Sequence, residues 1–146
     1  MTDWVAIIRE AIPVGGVMEF IGDPAAGGVC VFVGTTRAER NGEGVELAAL
    51  EYEAYEEMAR EQLEELARRA REKWGIVKVA MLHRVGRVGV GEASVVIAVS
   101  AGHREEAFAA CRFLIDTLKA EVAIWKKEVW GDGAERWKQS EKNDAR

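Results

Sequence analysis

Three lysines stand inside an otherwise apolar run near the end of the chain, LKAEVAIWKKE at residues 118–128. Lysine is rarely buried without a partner or a purpose, and an ammonium group that loses water gives up its proton more readily, which suits it to acid–base or nucleophilic work near neutral pH. In an extended segment Lys126 shares one face with Val122 and Ile124, whereas Lys127 lies on the other. One of these two lysines must therefore lie on a largely apolar face.

Lys119 allows two interpretations. It closes a predicted helix, where a cation stabilises the negative end of the helix dipole, so it is explained equally well as a surface charge. Two lysines brought close together, however, depress each other's proton affinity and leave one able to act as a neutral base or nucleophile. The lysine run is where we expect the chemistry.

Two further segments could bind an anion. His103 and Arg104 stand at the start of a predicted helix directly after a strand, where free backbone amides and the helix dipole attract a phosphate. Arg37 follows a strand end whose glycine, Gly34, lets the backbone approach a ligand closely, and arginine is suited to bidentate phosphate recognition. The alternatives are that His103 only caps a turn and that both arginines are surface charges.

These residues need a scaffold of alternating strands and helices. The sequence predicts strands at Trp4–Ile8, Val29–Val33, Val45–Tyr55, Val77–Leu82, Ala93–Ser100 and Val122–Glu128, and helices at Val14–Ile21, Glu56–Trp74 and His103–Lys119. Residues 29–35 are expected to pair with residues 45–55 as a hairpin. The alternation of apolar residues changes phase within residues 45–55, which indicates a bulge. This order favours an α+β fold with a mixed or antiparallel sheet.

Length and composition narrow the class of protein. The chain has 146 residues, which fits a single domain over 1–146, and its net charge of -5 argues against a general nucleic-acid or anionic-membrane binder. Neither a signal peptide nor a membrane span is predicted, so we expect a cytoplasmic protein. Cys30 and Cys111 are expected to be buried reduced thiols, and the isolated histidines, His83 and His103, predict no metal site.

Five segments together resemble the large, catalytic subunit of molybdopterin synthase. They are FVGTTR at 32–37, LEYEAYEEMA at 50–59, HRVGRVGVGEASVVIAV at 83–99, HREEAFAA at 103–110 and DTLKAEVAIWKKE at 116–128. The resemblance runs from about residue 28 to residue 137 in the family's order and spacing. It departs from the family at Ala123, where a proline is usual, at Thr36, where valine is common, and in the tail beyond Trp137.

The resemblance implies a sulfur transferase of molybdenum cofactor biosynthesis with an α/β hammerhead-type fold. Such an enzyme converts cyclic pyranopterin monophosphate, precursor Z, to molybdopterin, and takes sulfur from the C-terminal thiocarboxylate of a small ubiquitin-like partner subunit. It implies a homodimer with one small subunit at each end, a heterotetramer, and it implies no cofactor. Because the product carries two sulfurs, two donor tails must act in succession.

The resemblance also assigns roles to individual residues. It implies that Lys119 and Lys126 are the catalytic pair, which would position the donor carbonyl and move protons. The implied substrate-binding residues are Thr35, Thr36, Arg37, His103, Arg104, Lys119, Lys126, Lys127 and Glu128. Of these, Arg37, His103 and Arg104 would hold the phosphate, whereas Lys127, on the opposite strand face, would make a substrate or structural contact.

Two functions from other classes remain open at this point. One is a noncatalytic scaffold of the same fold that binds a ubiquitin-like tail or a phosphate ligand. The other is a small regulatory domain that binds a nucleotide at the helix following His103. The intact pair of lysines argues against the scaffold, and the regulatory domain predicts a nucleotide affinity that does not depend on Lys126.

Overall fold

The computed structural model describes residues 3–138, and that part contains eight strands and three helices. The strands are β1 (Asp3–Ile8), β2 (Gly28–Thr35), β3 (Leu47–Ala54), β4 (Ile76–Arg84), β5 (Gly86–Gly89), β6 (Ala93–Ala101), β7 (Ile124–Trp130) and β8 (Glu135–Trp137). The helices are α1 (Val14–Ile21), α2 (Glu56–Lys73) and α3 (Arg104–Glu121). The sequence predicts a single domain over 1–146 with a tail after about residue 138. Residues 1–2 and 139–146 of that prediction lie outside the described residues.

The first sheet forms the centre of the protein, with the strand order β1-β4-β6-β2. β1 runs parallel to β4, and the other neighbours are antiparallel. Helices α2 and α3 cover one face of the sheet, and α1 covers the other. Strand β6 is therefore buried from Ser94 to Ala101, which explains its unbroken apolar run. The mixed sheet packed with helices confirms the predicted α+β class.

The second sheet is antiparallel and has the order β5-β3-β7-β8. β3 shifts register against β7 between Leu47 and Ala49, which is the predicted bulge. The same register places Lys126 opposite Tyr52. β7 follows α3 and contains Lys126 and Lys127, so the second half of the lysine run lies beside β3 in this sheet.

The predicted hairpin between residues 29–35 and 45–55 is wrong. β2 pairs with β6 in the first sheet, whereas β3 pairs with β5 and β7 in the second. The polar segment 36–46 is the crossing between the two sheets rather than a hairpin turn. Both strands alternate in a way that suits a hairpin, and the alternation does not specify which partner each strand chooses.

The two cysteines lie on neighbouring elements of the core. Cys111 on α3 is buried, whereas Cys30 on β2 is partly exposed, and neither forms a disulfide. Burial, and next the adjacent Cys30 thiol, raise the pKa of Cys111 to about 12. The prediction of buried reduced thiols therefore holds for Cys111 and only in part for Cys30.

Candidate active site

Lys119 and Lys126 line the same cleft. Lys119 lies in the last turn of α3, and Lys126 is the third residue of β7. Apolar and aromatic side chains form the walls around the two ammonium groups: Val95, Ile115, Leu118, Val122, Ile124 and Trp125. The cleft thus concentrates two positive charges against low-polarity walls, which strengthens their interaction with an anionic ligand.

The turn between α3 and β7 sets the spacing of the two lysines. The helix ends where the N–H of Val122 donates to the carbonyl of Leu118 at 3.0 Å. The N–H of Ala123 then donates to Oε1 of Gln62 on α2 at 2.8 Å. A proline at this position, usual in the family that the sequence resembles, has no N–H to donate. In this chain α2 therefore holds the turn directly.

The alternation of β7 separates Lys127 from the cleft. Its Nζ lies 2.9 Å from a carboxylate oxygen of Glu135 and 3.5 Å from one of Glu51. It also lies 5.4 Å from the ring centre of Trp137. The hydrogen bond with Glu135 is the largest of the influences that raise the pKa of Lys127. Lys127 thus links β3, β7 and β8. Of the two predicted alternatives, a substrate contact or a structural contact, the structure shows the structural contact.

Glu128 reaches the edge of the cleft through another residue. Its Oε2 lies 3.8 Å from Nζ of Lys138, and Lys138 lines the cleft beside Lys126. The side chain of Glu128 is largely buried. Lys138 is thus a third basic side chain at the rim, and the Glu128 carboxylate is its ion-pair partner.

Three polar residues that sequence reasoning did not select form the inner end of the cleft: Tyr52, His83 and Ser94. Each comes from a different strand, β3, β4 and β6, so only the sheet register brings them together. A histidine at the end of an apolar strand was a usable signal. The sequence interpretation had considered His83 only as a metal ligand.

Burial changes the ionisation of two of these residues. It is the main cause that lowers the pKa of His83 to about 4; the charges of Lys119 and Lys126 lower it further, and a hydrogen bond to the carbonyl of Arg84 opposes the change. Burial likewise raises the pKa of Tyr52, against a hydrogen bond with the Ser94 side chain. At neutral pH the side chains of His83 and Tyr52 are therefore uncharged.

The predicted phosphate-binding residues do not meet the lysines within one chain. Arg37 is exposed and lies 3.2 Å from Glu39, and His103 is an exposed residue that precedes α3. Arg104 begins α3 and Lys119 lies fifteen residues further on, so a rise of 1.5 Å per residue separates them by roughly 22 Å. None of Arg37, His103 and Arg104 lines the cleft that contains Lys119 and Lys126.

The two threonines of the same predicted set lie at the end of β2. Thr35 is its last residue. Thr36 is buried, and its N–H donates to the carbonyl of Glu92 at 3.1 Å. Neither threonine lines the lysine cleft. Their role in binding substrate stays a prediction, as does that of Arg37, His103 and Arg104.

Comparison with known proteins gives the same family over most of the chain. The model of the MoaE protein family matches residues 7–121. This chain belongs to the MoaE family. It is 46% identical to the molybdopterin synthase catalytic subunit of Taeniopygia guttata, over 89% of this chain and 83% of that protein. The Arabidopsis thaliana catalytic subunit is 47% identical over 93% of this chain and 68% of that protein.

The fold is also that of a solved MoaE-family structure. The crystal structure of molybdopterin synthase from Staphylococcus aureus superposes with a TM-score of 0.86 at 36% identity, and covers 92% of this chain and 96% of that one. The resemblance read from the five sequence segments is therefore confirmed for family and fold. The part matched by the family model includes Lys119 and ends five residues before Lys126.

Two classes of feature are missing from residues 3–138. In that part of the chain no helix is long and apolar enough to cross a membrane. Nor do the described residues group three or more His, Cys, Asp or Glu side chains in a way that could hold a metal ion.

Proposed function

We propose that this protein is the catalytic subunit of a molybdopterin synthase. It transfers sulfur from the C-terminal thiocarboxylate of a small ubiquitin-like partner to precursor Z. Each transfer forms a bond between sulfur and a substrate carbon, breaks a carbon–oxygen bond at that same carbon, and breaks the bond between sulfur and the carbonyl carbon of the partner's tail. An oxygen atom from water replaces the sulfur, and the tail is released as a carboxylate. Because each tail delivers one sulfur, two tails are consumed for each dithiolene.

The observation that carries this proposal is the pairing of Lys119 and Lys126 in one cleft of a MoaE-family chain. The thiocarboxylate is an anion, and opening it develops a further oxyanion, which preorganised ammonium groups stabilise. Trp125 and Ile124 give the cleft apolar walls, next to which an electrostatic interaction is stronger than in bulk water. Lys119 and Lys126 therefore suit the donor end of the reaction.

Reconstitution tests the proposal. The full chain is incubated with precursor Z and the thiocarboxylated partner, and molybdopterin is measured as its fluorescent oxidised derivative. We expect product from the wild type and none from Lys119→Ala or Lys126→Ala. Lys73→Ala is the matched control, because Lys73 ends α2 and packs over Phe113, 4.6 Å from its ring centre, away from the cleft. Partner binding without product from the wild type would instead support the noncatalytic scaffold.

The length of α3 constrains where the substrate phosphate is bound. If His103 and Arg104 hold it while the lysines act on the same molecule, we expect the two sets to come from different protomers of a homodimer, because the backbone positions of Arg104 and Lys119 are roughly 22 Å apart in one chain. Mixed dimers of Lys119→Ala and Arg104→Ala then contain one intact site of two. We expect such mixtures to recover about a quarter of wild-type activity after random exchange. Recovery of none would place Arg104 and Lys119 in the site of one protomer, and an Arg104→Ala variant that is active without mixing would place Arg104 outside the site.

The partner and the location complete the proposal. The relatives are named catalytic subunits, which suits a chain that works with a second, sulfur-carrying subunit as a heterotetramer. Neither nucleic acid nor membrane is an expected partner, since the net charge is -5. We place the enzyme in the cytoplasm.

A further inference from the structure

A third lysine, Lys138, lines the cleft that contains Lys119 and Lys126. It lies beyond Trp137, where the sequence departs from the family, so neither the lysine run nor the predicted substrate contacts include it. Among the described residues, those that line the cleft include these three lysines and no aspartate or glutamate. Three ammonium groups beside apolar walls suit a ligand that carries negative charge.

The register of the second sheet places Lys138 directly beside Lys126. Trp137 of β8 is opposite Lys127 of β7, and the N–H of Lys138 donates to the carbonyl of Lys126 at 3.0 Å. Lys138 therefore continues the antiparallel ladder opposite Lys126, and opposite residues present their side chains on the same face. Tyr52 is opposite Lys126 on the other side. Tyr52, Lys126 and Lys138 thus form one row across the sheet, and all three line the cleft.

The ion pair of Lys138 is looser than that of Lys127 on the opposite face. Nζ of Lys127 lies 2.9 Å from a carboxylate oxygen of Glu135, and its side chain is 21% exposed. Nζ of Lys138 lies 3.8 Å from Oε2 of Glu128, and its side chain is 40% exposed. That distance is longer than a hydrogen bond, and an ammonium group has three N–H donors. The ion pair with Glu128 therefore leaves Lys138 able to donate to a ligand in the cleft.

The row also places two like charges opposite each other. Lysines that face each other on neighbouring strands destabilise a sheet. Glu128 offsets this repulsion in part, because its side chain lies near Lys138. An anion bound between Lys126 and Lys138 would offset it further, by interacting favourably with both charges.

We propose that Lys138 is a third anion-binding residue of the cleft and that it donates a hydrogen bond, together with Lys126, to an oxyanion of the reactants. The identity of the reactants rests on the proposed function. The oxyanion is either the carboxyl end of the donor tail or the cyclic phosphate of precursor Z, because both are anions that act at the catalytic lysines. The role of Lys138 is to bind, whereas the chemistry stays with Lys119 and Lys126.

Two replacements of Lys138 separate its charge from its packing. Lys138→Met keeps an apolar stem and removes the charge, Lys138→Arg keeps the charge, and both keep the backbone N–H that bonds to Lys126. The full chain is titrated calorimetrically with precursor Z and, separately, with the unactivated carrier, whose tail ends in a carboxylate. We expect Lys138→Met to raise the dissociation constant of at least one ligand roughly three- to thirtyfold, between the effects of an exposed ion pair and of a charged hydrogen bond. Lys138→Arg should keep most of the affinity.

The two titrations identify which oxyanion Lys138 binds. Weaker binding of the carrier assigns Lys138 to the tail carboxylate, and weaker binding of precursor Z assigns it to the phosphate. Lys73→Met is the control, since it removes a charge at the end of α2, away from the cleft. Unchanged dissociation constants for both ligands in Lys138→Met overturn the proposal. An equal loss in Lys73→Met, or in Lys138→Arg, also overturns it, because the effect would then not depend on a charge at this position.

A second pair of variants keeps the test valid if Lys138→Met is unstable. That replacement leaves the largely buried carboxylate of Glu128 without its ion-pair partner, whereas the double variant Glu128→Gln/Lys138→Met leaves no such charge. The double variant should bind more weakly than Glu128→Gln alone, and equal affinities would limit Lys138 to its ion pair and overturn the proposal. Because no titration requires turnover, a wild type that makes no molybdopterin refutes the proposed function alone. Unchanged affinities with normal turnover refute only the role of Lys138.

Discussion

Acid is expected to destabilise the wild-type protein more steeply than a variant in which His83 cannot titrate. The folded protein lowers the pKa of His83 from its ordinary value of 6.5 to about 4. Between these two values the unfolded chain binds a proton that the folded chain does not, so stability rises with pH across the window. The part of the free energy of unfolding that depends on the neutral His83 ring is therefore fully present above pH 6.5 and is lost as pH falls toward 4.

The size of the effect follows from the difference between the two pKa values. A difference of about 2.5 units, at 1.36 kcal/mol for each unit, is about 3 kcal/mol. His83 is almost completely buried, so solvent screens this energy little. Because domains of this size are stable by about 5–15 kcal/mol, the loss is a substantial fraction of the free energy of unfolding.

Urea denaturation of the wild type and of His83→Gln between pH 7 and pH 4 measures the difference. The five tryptophans report unfolding by fluorescence, and protein concentration is held constant because assembly shifts apparent stability. The other titratable groups that line the cleft, Tyr52, Lys119, Lys126 and Lys138, are present in both proteins. We therefore expect the wild type to lose about 3 kcal/mol more than the variant.

Parallel curves of unfolding free energy against pH would refute this reasoning. They would mean that the ring takes up a proton in the folded protein without cost, which is incompatible with an imidazole buried beside two lysines. His103→Gln is the control for losing a histidine as such, since His103 is exposed. If the wild-type curve is parallel to that of His83→Gln but steeper than that of His103→Gln, the acid sensitivity comes from His103 and not from His83.

Three further predictions concern the packing around the lysines. Lys126→Ala is expected to abolish molybdopterin formation, whereas Lys127→Ala, its neighbour on the opposite face, should lower turnover far less in the same assay. Gln62→Ala leaves the N–H of the turn between α3 and β7 without its acceptor, and should cost about 1–3 kcal/mol in urea denaturation and also reduce kcat. Leu114→Ala truncates a fully buried side chain of α3 and should cost about 2–5 kcal/mol by the same measurement.

The sequence predicted the helices better than the strand partners. The apolar spacing of residues 56–74 reports one face of one element, and the observed helix, Glu56–Lys73, ends within one residue of it. The strands at 29–35 and 45–55 were also recognised, but their pairing was wrong. A strand alternates in the same manner whether its neighbour is β3 or β6, so its partner is decided by which surfaces bury each other.

The site was predicted only as far as local chemistry reaches. Lys126 and Lys127 could be separated because alternation along a strand is local, and the structure places only Lys126 in the cleft. Tyr52 and Ser94 could not be found in this way, and the only local signal for His83 is a histidine at the end of an apolar strand. Their types are ordinary for strand ends, and they approach Lys126 only through the registers of two different sheets.

The ends of α3 show why motif order is a poor guide to distance. The resemblance assigns Arg104 and Lys119 to one substrate site, yet the helix between them separates their backbone positions by roughly 22 Å. Each end suits its charge for a separate reason: the N-terminus attracts an anion, and the C-terminus stabilises the lysine as a cation. If Arg104 holds the substrate phosphate, we expect that phosphate to reach the cleft around Lys119 from a second chain, because of the length of the helix. The mixed-dimer experiment is therefore the most direct test of how the whole site is assembled.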